Sequence, residues 1–142
     1  MGRNNGGVKS SRAGTKSGTT KKVTVAQVEN MKDRTFAMFN SGTKEGQAFI
    51  VSEWKSMAKG MSNTQLQDEH VRALKEAIAL DSAKDKSSKS YKNSVKSRDA
   101  IEFALRQEMV ERIKKKKIKL KGGMDYGEWY AQLVVDIKSG KV

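Results

Sequence analysis

The chain has no cysteine, no proline and a single histidine, His70, in 142 residues. Without thiols there is neither a disulfide framework nor a thiolate zinc site, and the cytosol, or a virus particle assembled there, is the expected setting. Ser-His-Asp chemistry would have to use His70, which lies in an apolar stripe between Leu66 and Leu74, and no Gly-x-Ser-x-Gly accompanies it. The pairs Gly6-Gly7 and Gly122-Gly123 match neither a Walker loop nor a dinucleotide fingerprint. Asp68 with Glu69, and Asp99 with Glu102, could in principle hold magnesium but are better explained as residues of helix starts. Long apolar runs are also missing. None approaches the roughly 18 residues of a membrane span, and the first residues lack the apolar stretch of a signal peptide. The opening Met-Gly-Arg-Asn-Asn-Gly does not fit the myristoylation pattern. These absences lead us to expect a soluble, non-enzymatic chain of one domain, with no cofactor, no metal and no membrane contact.

What is abundant is lysine. The net charge of +13 comes from 29 basic and 16 acidic residues, and it is not spread evenly. Residues 1–22 carry six basic groups and no acidic one; residues 82–98 carry six against Asp85; residues 111–121 carry seven against Glu111. These segments hold +6, +5 and +6, so the remainder of the chain is net −4. A surface built for solubility alone would intersperse both signs. Cations gathered into segments point to a polyanion, because each phosphate neutralised releases counterions whatever the sequence.

Residues 1–22 are Gly, Ser, Thr and Lys/Arg with almost nothing apolar, and read as a flexible basic arm. From Thr24 the texture is helical. Thr24 with Gln27 has capping-box spacing, and Val25, Val28, Met31, Thr35, Phe36 and Phe39 recur at steps of three and four up to Asn40-Ser41-Gly42. In "KEGQAFIVSEWKSMAKGM", Phe49, Ile50, Trp54, Met57 and Met61 favour a helix, although "AFIVSEW" could form a short strand. Ser62 with Gln65 opens a third helix, lined by Leu66, His70, Leu74 and Ile78. Residues 82–98 break the pattern with Ser and Lys and read as a long connection, functional or partly helical. Asp99 with Glu102 then opens a helix along Ile101, Leu105, Met109 and Ile113, and Asp125 with Glu128 opens the last, with Trp129, Tyr130, Leu133, Val134 and Ile137. The expectation is all-α: about five helices in one domain over 23–142, preceded by the arm.

The stretch "ERIKKKKIKLKGG" poses the functional question. A helix end gains from one or two cations, but seven basic groups in eleven residues exceed that use and repel one another. The run either prolongs the helix or becomes an extended piece with Ile118 and Leu120 inward and the lysines outward. A phosphate backbone is the simplest compensation, and lysine favours general contact over base reading. The candidate ligands to nucleic acid are therefore Arg112, Lys114, Lys115, Lys116, Lys117, Lys119 and Lys121; Lys89, Tyr91, Lys92, Lys96 and Arg98 in the connection; and Arg3, Arg12, Lys21 and Lys22 in the arm. Tyr91 is included as an aromatic set among Ser and Lys, placed where a base could stack. Trp54, Trp129 and Tyr130 read as core, and His70 as a buried packing residue. The expected partner is DNA, RNA or a nucleoprotein, in the manner of a phage or mobile-element accessory protein. The alternative partner is an acidic protein, as for a virion component.

Overall fold

The computed structural model describes residues 23–142, so the arm with Arg3, Arg12, Lys21 and Lys22 lies outside the described residues. Within them are five α-helices and no strand: α1 Val25–Ser41, α2 Lys44–Lys59, α3 Asn63–Ala79, α4 Lys89–Lys114 and α5 Tyr126–Lys138, with one-turn 3-10 segments at Leu80–Ser82 and Lys121–Gly123. No helix among the described residues is long and apolar enough to cross a membrane.

Every helix starts on a residue whose side chain accepts an otherwise orphaned backbone N–H: Thr24, Thr43, Ser62, Ser88 and Asp125. The boxes at Thr24–Gln27 and Asp125–Glu128 are complete. At Ser62 the box is half made, because the Gln65 amide instead donates to the Val23 carbonyl at 2.6 Å and ties the chain entering α1 to α3. The ambiguous "AFIVSEW" is helical, within α2.

α4 is the central element and packs on α1, α2 and α3, while α5 leans on α3. The core joins Val28 and Met31 of α1, Ile50, Trp54 and Ala58 of α2, Leu66 and Ala73 of α3, and Ile101, Ala104, Leu105 and Met109 of α4. Each large apolar side chain so buried contributes about 1.5–3 kcal/mol. The Trp54 indole N–H donates to Thr35 Oγ1 at 2.6 Å, and the Thr35 hydroxyl donates to the Met31 carbonyl at 2.6 Å, so the buried polar atoms of this pair are satisfied. Phe49, on the expected stripe of α2, is instead 58% exposed.

The main departure from expectation is the start of α4. The helix begins at Lys89, not at Asp99, so most of the supposed connection is helical and the true link is 83–88. The row Ile101, Leu105, Met109 continues backwards at steps of four through Ser97 and Asn93, both buried. Asn93 donates from Nδ2 to Asn40 Oδ1 at 3.0 Å, and the Ser97 hydroxyl donates to the Ser94 carbonyl. Small polar residues make this packing face, so a count of apolar residues passes over it.

Candidate nucleic-acid interface

The lysine run breaks the helix. Lys116 has φ +60°, in the left-handed region. This lets the Lys117 N–H reach the Arg112 carbonyl at 2.8 Å and the Lys116 N–H reach the Ile113 carbonyl at 3.0 Å. The pattern is a Schellman termination with lysine at the position that glycine occupies at least steric cost. The chain then extends. Ile118 and Leu120 enter the core at 4% and 7% exposure, while Lys117, Lys119 and Lys121 face solvent, as the extended alternative requires. Gly122 and Gly123, at φ +70° and +71°, complete the reversal into α5.

Arg112 does not belong to this surface. It is 8% exposed, and its guanidinium is used inside the bundle. Nε donates to Glu108 Oε2 at 2.8 Å, Nη1 to Asn63 Oδ1 at 3.0 Å, and Nη2 to the carbonyls of Ala58 and Lys59 at 3.0 and 3.2 Å. Those carbonyls end α2 and have no successors in the helix, so the cation caps them where the helix dipole is negative. Asn63 completes the knot by donating from Nδ2 to the Lys117 carbonyl at 2.9 Å. The ends of α2 and α4 and the start of α3 thereby fix the backbone of the lysine turn.

Neutralisation within the run is partial. Lys115 pairs with Glu111 at 2.9 Å, and its hydrogen bond and charge hold the Glu111 carboxyl below its ordinary range. Lys114, Lys116, Lys117, Lys119 and Lys121 are exposed and make no ion pair among the described residues.

At the other end of α4, Lys89, Lys92 and Lys96 are likewise exposed and without an ion pair among the described residues. Arg98 is held differently: it donates from Nη1 to Glu76 Oε1 at 3.1 Å, and Glu76 also lies 3.6 Å from Lys32. Tyr91 is half-buried in the first turn of α4, so its ring is not an open stacking platform. Arginine and lysine divide their work here. The five described arginines each meet a glutamate, and the cations left to solvent in these segments are lysines.

A second polar centre joins α3, α4 and α5. His70 is fully buried, with Nε2 2.8 Å from the Tyr126 hydroxyl and 3.4 Å from Glu102 Oε2, and the rings of Tyr126, Trp129 and Tyr130 stand edge-on around it. Arg106 donates to the other Glu102 oxygen at 2.7 Å. Burial, helped by the Arg106 charge, lowers the His70 pKa to about 4. Burial raises Glu102 against the pull of Arg106, and burial also raises Tyr126. His70 Nδ1 and Glu102 Oε2 have no hydrogen-bond partner among the described residues. The sequence placed His70 in a packed stripe, which the structure shows; its aromatic partners, 56 residues and more downstream, gave no local signal. His70 itself is fully buried and presents no ring nitrogen to solvent. Among the described residues no three His, Asp or Glu side chains converge to hold a metal ion. No protein-family model, curated protein or solved structure matches the chain.

Proposed function

We propose that the protein is a non-enzymatic nucleic-acid-binding protein that grips the phosphate backbone with lysines at the two ends of α4. One observation carries the reading: a turn whose backbone is fixed from three helices presents five lysines that form no ion pair among the described residues. One of them, Lys116, stands where glycine would be less strained. Repulsion within such a cluster costs roughly 0.2–0.5 kcal/mol per close pair, which a polyanion would relieve. Lysine acts as a point charge suited to phosphate, and the exposed surface of the turn carries no arginine for bidentate base reading.

The test is binding to nucleic acid over a salt series, with the wild type compared with a variant in which Lys114, Lys116, Lys117, Lys119 and Lys121 are changed to Gln. Each lost phosphate contact on a duplex should flatten the log–log salt slope by about 0.9 and weaken all sequences alike. A wild-type slope near zero, or an unchanged variant, would overturn the reading.

A further inference from the structure

We propose, building on the phosphate-binding reading above, that α4 spans one turn of B-form duplex DNA, with a lysine cluster on the backbone at each end of the helix. α4 is one uninterrupted helix of 26 residues. At about 1.5 Å per residue, Lys89 and Lys114 stand about 37 Å apart along its axis. At about 100° per residue, Lys89, Lys92, Lys96 and Lys114 fall within an arc of about 60°, so the first cluster and the last helical lysine share one face. All four are exposed. On or beside that arc, the middle of the helix presents Asp99, Phe103, Gln107 and Val110, and the cation nearest Phe103 is Lys55 of α2, whose Nζ lies 5.3 Å from that ring.

The lysines at the two ends of α4 are therefore separated by a distance close to the DNA repeat of about 34–36 Å. A straight rod laid parallel to a B-form axis meets a given strand's backbone once per turn and crosses the two grooves and the other strand's backbone in between. The lysines at the two ends of the helix stand where one strand's backbone would be met twice, one turn apart. The start of α4 adds the positive end of its dipole to the first cluster.

Single-stranded nucleic acid fits less well. Binders of single strands combine cations with open aromatic faces, and Tyr91 is half-buried, Trp54 fully buried, and Trp129 and Tyr130 are set around His70. Phe103 is exposed on the stripe, but Lys55 Nζ lies over its ring at 5.3 Å.

The experiment measures affinity of the full chain for hairpin-closed DNA stems of about 6, 8, 10, 12 and 16 base pairs at one moderate salt concentration, beside single strands and RNA stems of equal length. The expected result is a rise of about tenfold or more between about 8 and 12 base pairs, where the second cluster engages as an intramolecular event, and only proportional growth beyond. Changing Lys89, Lys92 and Lys96 together to Gln should abolish that step, so that affinity grows only in proportion to stem length. Smooth growth with length, a step that survives the triple change, or single strands bound as tightly as stems would overturn the spanning inference and leave the phosphate reading standing. RNA stems bound equally well with the same step would overturn the commitment to B-form DNA. Absence of binding to every probe would overturn the phosphate reading itself.

Discussion

Two polar groups are buried against α4, and they have opposite fates. Around Arg112, every nitrogen donates: a carboxylate, an amide oxygen and two helix-terminal carbonyls receive its N–H groups. Around His70, the fold leaves Nδ1 and Glu102 Oε2 without partners among the described residues, and burial disfavours the charged forms, lowering the His70 pKa and raising that of Glu102. A charge whose every nitrogen the fold hydrogen-bonds becomes part of the scaffold. A polar pair that it only partly satisfies becomes sensitive to protons. Neither centre is exposed, so both are set apart from the lysines that face solvent.

The sharpest way to break this contrast is to remove Arg112. Arg112→Ala should destabilise the protein by about 3–5 kcal/mol in urea unfolding, since Glu108, Asn63 and the end of α2 all lose their cation. If Arg112 instead served a ligand, the variant would keep its stability and lose binding.

The next largest effect is a pH dependence specific to His70. Its pKa falls from 6.5 in the unfolded chain to about 4 in the fold. The unfolded chain takes up this proton first, so the histidine's contribution is complete above about pH 6.5 and is lost as pH falls through about 4. That difference in proton affinity is worth about 3 kcal/mol. Glu102 and Glu69, raised by burial, act in the opposite sense and offset part of the acid loss. His70→Gln should be less stable than wild type at neutral pH, with the gap closing by about 3 kcal/mol toward pH 4. A gap independent of pH would mean that His70 is solvated. Arg112→Ala should show no such titration of its own, since the guanidinium keeps its proton throughout.

These two centres also show what was legible in the chain. The stripe holding His70 was readable because Leu66 and Leu74 flank it at helical spacing. Arg112 was misplaced among the phosphate ligands because it stands in a cationic run. Its distinguishing marks were chemical: the one arginine among lysines, with Glu108 four residues before it. The early start of α4 was missed for a related reason, since Asn93 and Ser97 pack with polar side chains that periodicity counts as surface. The capping boxes at Thr24 and Asp125 were read correctly, because a cap is a local event whose partners lie three residues apart. The last helix was read as more deeply packed than it is: only Leu133 of α5 is buried, with Trp129 and Tyr130 half-covered around His70.

A milder probe of the His70 side is Tyr126→Phe, which deletes the hydroxyl 2.8 Å from Nε2. The expected cost is about 1 kcal/mol, concentrated in α5, whose amide hydrogens should exchange faster while those of α4 keep their protection. Uniform loss across all helices would indicate that α5 is a full member of the core.

The smallest change sharpens the comparison on the Arg112 side, where one residue of an otherwise satisfied knot remains strained. Lys116 has φ +60°. An L-residue there costs about 1–2 kcal/mol, and glycine gives back about 0.5–1 kcal/mol through the greater entropy of its unfolded chain. Lys116→Gly should therefore stabilise the protein by about 0.5–1 kcal/mol net. The Schellman bonds from Lys117 to Arg112 and from residue 116 to Ile113 would be retained, since both use backbone atoms. If the lysine is held at this position for a phosphate, the same substitution should weaken binding and flatten the salt slope by about 0.9. Stability and affinity would then move in opposite directions at a single residue, measured by urea unfolding and by titration on the same preparation. A variant that is stabilised with unchanged binding would show that Lys116 merely occupies the turn, and would move the phosphate contacts to Lys114, Lys117, Lys119 and Lys121.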